Sequence, residues 1–358
     1  MVSAATMNAP APAPALPWLA PTLAQARTLD ARSHALLLHG AIGDGLFDCA
    51  HRIVERWLCE AGDPRERPCG ACESCRMLAA GAHPDLHRLL PEALRQQLGL
   101  ASAEAGDAAD AAEGGGSAKG KRKPSRQIRI EEVRAAIDWA ATTSSRGGAK
   151  VILIHPAEAM NLQAASALLK TLEEPPAGVR LLLASAAPAR LLPTVRSRCQ
   201  VLRLQPPDAA AARQWLREQG HEQPEVLLAA CSGRPLEALS MAQAGLDAAR
   251  WRALPRALLA RQAAAVAGWG VPALVDTLHK LCHDGLALSH GAAPRFFPSQ
   301  ALPPPASASA LADWSLELAR LARQADHPWN EGLLVDALLA QAQAAWAGSS
   351  AVATAAPR

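Results

Sequence analysis

The sequence predicts an α/β domain built on a parallel sheet, followed by a small helical domain and an all-α C-terminal domain. Three observations carry this. The runs VILI (151–154) and VRLLLA (179–184) are short and almost continuously apolar, as strands covered on both faces are. They alternate with amphipathic stretches of helical period, the rhythm of strand–helix–strand crossovers. After Pro206-Pro207 the strand signals stop and only helical patterns remain.

Length and composition set the frame. A chain of 358 residues has room for two or three domains, and with 50% hydrophobic residues it can bury a sizeable core. Ala and Leu dominate, which favours helix. There is no Tyr and only 3 Phe, so the 9 Trp carry the aromatic packing. A net charge of +3 is too modest to argue for nucleic-acid binding by itself. No apolar run approaches the ~18 residues of a membrane helix, and the N-terminus lacks the basic start and apolar core of a secretory signal. The expected compartment is the cytoplasm.

Taken in order, residues 1–16 are Ala/Pro-rich and read as a disordered tail. Order is expected from Pro17-Trp18-Leu19, the start of an α/β domain over 17–206. Residues 34–38 read as a strand. After a glycine-rich turn, DCAHRIVERWLCE (48–60) repeats Ala50, Ile53, Val54, Trp57 and Leu58 at helical spacing. A Pro/Cys-rich module spans 59–75. Residues 101–126 are low-complexity, acidic then basic, and are expected to form a disordered insertion with little to bury. Its basic end, 121–123, reads as a solvated linker, with DNA contact as the alternative. Residues 128–141 are amphipathic, with Val133, Ala136, Ile137 and Ala140 on one face. A helix over 158–174 ends at Pro175-Pro176, and residues 200–204 read as a further strand. A small helical domain over 207–248, broken near Gly220 and Gly233, precedes a second helical domain over 249–348 with a loop at 290–310. Residues 349–358 form a tail.

The stretch HGAIGDGLFD (39–48) carries Gly40, Gly43 and Gly45 between a strand and a helix. Gly40 and Gly45 have the spacing of a phosphate loop, whose backbone N–H groups point at phosphate oxygens from a helix N-terminus. Where such a loop has Lys and then Ser or Thr, this chain has Leu46 and Phe47. Leu cannot put a charge on the β/γ-phosphates and Phe cannot ligate Mg²⁺. An ordinary Gly-rich strand–helix turn would give the same spacing. A second element points the same way. In an active phosphate-loop ATPase a later buried strand ends in acidic residues that organise Mg²⁺ and water. Here that strand runs into His155-Pro156-Ala157-Glu158, with His155 at the first acidic position. Glu158 reads as an acid in the first turn of the following helix.

CGACESC supplies Cys69, Cys72 and Cys75, and Cys59 ends the preceding helix. Four thiolates at this spacing can close a tetrahedral zinc site with no open position, hence a structural one. An iron–sulfur reading lacks the trailing Cys-Pro, and free thiols are the third reading. Cys49, Cys199, Cys231 and Cys282 read as isolated, mostly buried thiols. Finally, Arg196-Ser197-Arg198-Cys199 lies just before the last strand. Such an Arg can reach a neighbour's nucleotide, although most surface arginines are merely solvated or ion-paired.

Together these residues resemble the delta-prime family of bacterial DNA polymerase III clamp-loader subunits, which are AAA+ proteins. The carriers are the strand at 34–38 with its degenerate loop, the four cysteines, GGAKV (147–151), ALLKTLEEPP (167–176) and RSRC (196–199). The likeness runs from about residue 17 to 245 and is weak beyond. It implies a P-loop-type AAA+ domain with lid and collar that does not hydrolyse ATP. It implies a stator role in a hetero-pentamer with delta and ATP-binding gamma/tau subunits, serving the loading of the sliding clamp onto primer-template DNA. It makes Arg198, with Ser197 and Cys199, a trans arginine finger toward gamma/tau, and Cys59, Cys69, Cys72 and Cys75 the zinc ligands. No productive ATP binding and no catalysis by this subunit alone are implied. Leu236 in Gly233-Arg-Pro-Leu236 stands where active relatives sense ATP with Arg. Two other functions compete. One is an active ATPase in which Lys150 or Lys170 replaces the missing Lys. The other is a zinc-dependent DNA-binding protein, for which only Arg65, Arg67 and Arg76 lie near the cysteines.

Overall fold

The apolar runs become the middle of a parallel sheet. The computed structural model describes residues 16–30, 33–100, 124–324 and 329–348. The expected tails, except Leu16, and all but the last three residues of the expected insertion lie outside these. The chain divides after Pro207 into two units.

The first unit opens with α1 (Ala20–Leu29), β1 (Ala35–His39) and α2 (Leu46–Leu58). There follow α3 (Glu73–Ala79), β2 (Leu86–Leu89), α4 (Glu92–Gln97), α5 (Ile130–Ala140), β3 (Lys150–Ile154) and α6 (Leu162–Glu173). It ends with β4 (Val179–Ser185), α7 (Pro193–Arg196) and β5 (Gln200–Arg203). All pairings are parallel, in the order β2-β3-β4-β1-β5. Successive strand residues face opposite sides. Ala35, Leu37, Ile152, Ile154, Leu181 and Leu183 therefore pack with the apolar faces of α5 and α6. Leu36, Leu38, Leu153 and Leu182 face the other way, where α2 covers the sheet. Each of these buried Leu or Ile side chains contributes about 1.5–3 kcal/mol. The face expected for α2 is the one it buries, from Leu46 to Leu58.

Two expectations are corrected. Residues 86–89 form an unexpected edge strand, β2, which pairs with β3. Its sequence LHRL breaks the apolar run with His87 and Arg88, so it gives no strand signal. The helix expected over 158–174 begins only at Leu162, where the Asn161 side chain accepts from the Ala164 N–H. Residues 157–159 form a separate 3-10 turn.

Every element of the second unit's described residues is helical: α8 (Ala209–Glu218), α9 (Pro224–Ala230), α10 (Pro235–Gln243), α11 (Ala248–Leu259), α12 (Val271–Ser289), α13 (Ala308–Arg323) and α14 (Glu331–Trp346), with short 3-10 turns between. Trp251, Trp314 and Trp346 are buried, and Trp251 stacks on Phe297. The loop after α12 is tied down by Asp284, which is fully buried and accepts from the N–H groups of Arg295, Phe296 and Phe297.

Candidate functional site

The glycine loop joins the C-terminal end of β1 to the start of α2. Gly40 has a packing reason to be glycine, since a Cβ there would lie 2.6 Å from the Cβ of Leu204. Gly45 caps α2 with φ 91°, a left-handed conformation that glycine adopts without strain. Between them a 3-10 turn uses two N–H groups internally. Asp44 N–H donates to the Ala41 carbonyl at 3.2 Å and Gly45 N–H to the Ile42 carbonyl at 3.0 Å. Those two donors are thus already committed within the loop itself.

The substituted side chains complete this picture. Leu46 is fully buried and belongs to the core. The Phe47 ring lies 5.1 Å from the ring of His155. The positions expected to hold a hydroxyl and a carboxylate in an active loop thus carry rings packed on each other. His155 is buried, and its desolvation holds its pKa below the ordinary histidine value. Its Nδ1 has no hydrogen-bond partner among the described residues. Glu158 is not in the first turn of the following helix, as expected, but in the 3-10 turn before it. Its Oε1 accepts from the N–H groups of Ala186 at 3.0 Å and Ala187 at 3.2 Å, which ties the loops after β3 and β4 together.

Lys150, one of the two lysines considered as a replacement, is buried at the opposite end of the sheet. Its ammonium donates to the Trp139 carbonyl at 2.6 Å, to the Thr142 carbonyl at 3.2 Å and to Thr142 Oγ1 at 2.5 Å, and sits over the Trp139 ring. Lys170 lies in the last turn of α6, the turn that leads into the N-terminal end of β4. In a parallel sheet that end is remote from the glycine loop.

Cys59, Cys69, Cys72 and Cys75 come together, with all four sulfurs within 4.8 Å of one another. Cys59 Sγ and Cys72 Sγ are 3.9 Å apart, close to the ~3.8 Å edge of a tetrahedron with Zn–S bonds of ~2.3 Å. Sγ of Cys59 accepts from the N–H groups of Ala61 and Cys69, Sγ of Cys69 from Cys72, and Sγ of Cys72 from Cys75. Such donors favour the thiolate. The N–H groups of Ala71 and Cys72 pull Cys69 down to about 6, whereas burial pushes Cys75 up to about 12. The donor set fits a soft, tetrahedral cation, which would hold Cys75 as thiolate. The other four cysteines are buried free thiols.

A polar network missed by sequence reasoning joins this module to the sheet. Ser74 Oγ donates to Glu60 Oε1 at 2.9 Å, Arg146 Nε donates to the same oxygen at 2.5 Å, and His83 Nε2 meets Ser74 Oγ at 3.0 Å. Asp85 then accepts from Ser144 Oγ and from the N–H groups of Ser145 and Arg146. These residues are scattered over the sequence, so no spacing announces them.

Arg198 follows α7 and directly precedes the buried Cys199 at the start of β5. Its guanidinium pairs with Glu173, the last residue of α6, through Nε at 2.6 Å and through Nη2. Nη1 donates to the Thr194 carbonyl at 3.0 Å and meets Ser197 Oγ at 3.4 Å. Ser197 and Arg198 are thus brought together, while the Cys199 thiol is pushed up to about 12 by burial. Glu173 is a partner that its position in the LEEPP run does not foretell. Residues 36–39 of β1 pair in register with 200–203 of β5. The glycine loop follows the last of these and Arg198 precedes the first, so the two lie at opposite ends of the sheet. Arg198 faces away from the loop of its own chain.

Comparison with known proteins supplies the relatives. A family model described as "DNA polymerase III, delta subunit" matches residues 18–208. A protein named DNA polymerase III subunit delta' from Pseudomonas aeruginosa is 36% identical over 62% of this chain and 60% of its own length. The protein of that name from Escherichia coli K12 is 31% identical over 76% of this chain and 78% of its own. A DNA polymerase III subunit tau from Salmonella typhimurium is 30% identical over 54% of this chain but only 25% of its own. The chain spans 55–62% of the length of the Yersinia pestis, Pseudomonas aeruginosa and Haemophilus influenzae relatives it matches.

Proposed function

Because the chain belongs to the DNA polymerase III delta subunit family, we propose that it is the non-hydrolysing delta-prime subunit, the stator, of a clamp loader. It works in a hetero-pentamer with delta and gamma/tau subunits, and through that assembly on the sliding clamp and primer-template DNA. Residues 17–206 act as its AAA+ domain, 207–248 as the lid and 249–348 as the collar that holds the ring.

The observation that carries this reading is the contact between Phe47 and His155. A hydroxyl and a carboxylate would be needed there to hold Mg²⁺ on ATP. Two apposed rings offer neither, and the buried Leu46 cannot neutralise phosphate charge. Hydrolysis is therefore assigned to a neighbour. As the γ-phosphoryl group leaves, charge grows on its equatorial oxygens, and a guanidinium from across the interface stabilises it. Arg198 fits that task because it lies at the end of the sheet away from its own loop. The carboxylate of Glu173 and the carbonyl of Thr194 hold it in one geometry until a phosphate competes for it. Zinc on Cys59, Cys69, Cys72 and Cys75 would act as a structural cross-link, with no part in the phosphoryl transfer.

The alternative of an active ATPase has no support from Lys150, whose ammonium is fully engaged at the other end of the sheet. The test is direct. The purified chain should show no ATP turnover above background. Turnover that disappears on mutation of Gly45 would refute the proposal.

A further inference from the structure

A cavity of about 550 Å³ lies beside the cysteine module, at the opposite end of α2 from the glycine loop. Its walls come from the C-terminal end of α2, the turn at Gly147-Gly148 before β3, and the start of β4. Four guanidiniums line it, those of Arg56, Arg67, Arg146 and Arg180. Two are matched by carboxylates. Arg56 Nε donates to Asp30 Oδ2 at 2.8 Å, and Arg146 pairs with Glu60. The other two donate to backbone carbonyls, with the Asp30 carboxylate also acting on Arg180 at longer range. Arg180 Nη1 donates to the backbone carbonyl of Asp30 at 3.0 Å, and the guanidinium lies over the Trp57 ring. Arg67 Nε donates to the Ala61 carbonyl at 2.7 Å.

Burial acts against the charge of Arg180 more strongly than the Asp30 carboxylate supports it, and neighbouring Arg56 adds to the cost. A loaded four-thiolate zinc site, with a net charge of about −2, would balance the charge of the two guanidiniums that the carboxylates leave unmatched. It would not satisfy the remaining N–H donors of Arg67 and Arg180, each of which carries five in a planar fork. Such forks are matched by the oxygens of a phosphate group, in two parallel hydrogen bonds. Glycines 147 and 148 place side-chain-free backbone on the wall, and the volume falls within the range of small-molecule sites.

We propose that this cavity is a phosphate-binding site in which Arg67 and Arg180 grip a phosphate group, carried either by a small molecule or by a nucleic-acid end. It is separate from the proposed exchange between Arg198 and a neighbour's nucleotide and does not depend on it. The test is calorimetry on the full-length, zinc-loaded chain in phosphate-free buffer. The probes are inorganic pyrophosphate, a short oligonucleotide with a 5′-phosphate, the same oligonucleotide with a 5′-hydroxyl, and an acidic hexapeptide. Saturable 1:1 binding of pyrophosphate is expected, weakened about tenfold or more by Arg180→Gln and by Arg67→Gln. Arg67→Gln leaves the contact between Arg180 and Trp57 intact, so it keeps the test valid if Arg180→Gln does not fold. Its zinc content must equal that of the parent chain. A preference for the 5′-phosphate oligonucleotide over its 5′-hydroxyl form supports the site and assigns it to nucleic-acid ends. Pyrophosphate binding without that preference supports it and assigns it to small molecules. Absence of saturable binding to every phosphate probe would overturn the proposal. So would affinity unchanged in both variants, or tighter binding of the acidic peptide than of pyrophosphate.

Discussion

Leu46 is the residue at which sequence and site diverge most from a working phosphate loop. It is fully buried in the core that α2 makes with the sheet, so restoring the motif's Lys does not restore the motif's chemistry. Leu46→Lys should destabilise the chain by about 3 kcal/mol in urea unfolding, because a buried ammonium loses its hydration. It should also yield no ATP turnover. Gly40 makes the complementary case. A Cβ there would lie 2.6 Å from the Cβ of Leu204, so Gly40→Ala should cost about 1–3 kcal/mol through overpacking, with no ligand involved. Denaturant melts of the variant and its parent check this. The four cysteines, the glycine-rich loop and Arg198 are legible in the sequence as candidates, because the chemistry proposed for them depends on type and spacing. Their partners are not. Glu173, His155's contact with Phe47 and the chain from Glu60 through Ser74 to Asp85 depend on tertiary proximity, which no local pattern encodes.

The elements divide by how much of their face is apolar. β3 and β4 lie inside the sheet and read as unbroken hydrophobic runs. β2 lies at its edge and interrupts its two leucines with His87 and Arg88, so it gave no signal. The start of α6 was misplaced because Glu158 resembles a first-turn acid, whereas the cap is Asn161. The cysteine module brings its four sulfurs together and is joined to the rest of the unit by the polar network that reaches Arg146. Elemental analysis should find about one zinc per chain and no iron. Cys72→Ser should abolish zinc retention through gel filtration and lower the melting temperature, while far-ultraviolet circular dichroism keeps the signature of the sheet and helices. A variant that retains zinc and stability would remove the four-cysteine site.

At the scale of the whole molecule, the direction of the sheet decides the functional reading. Parallel strands send every chain end the same way, so the glycine loop after β1 and Arg198 before β5 must lie at opposite ends. Alternating strands and helices in the sequence made a parallel sheet legible. The strand order β2-β3-β4-β1-β5 was not, since it is set by how the crossovers pack rather than by any one segment. That geometry keeps Arg198 away from its own loop, and the proposal that it serves a neighbour's nucleotide instead is the central claim. The measurement that tests it most directly is the clamp-stimulated ATPase rate of the reconstituted assembly carrying Arg198→Ala in this chain alone. With assembly intact by gel filtration, the rate attributable to the adjoining site should fall by about 10³, at the low end for arginine fingers. An intact assembly whose rate at that site is unchanged would contradict the account.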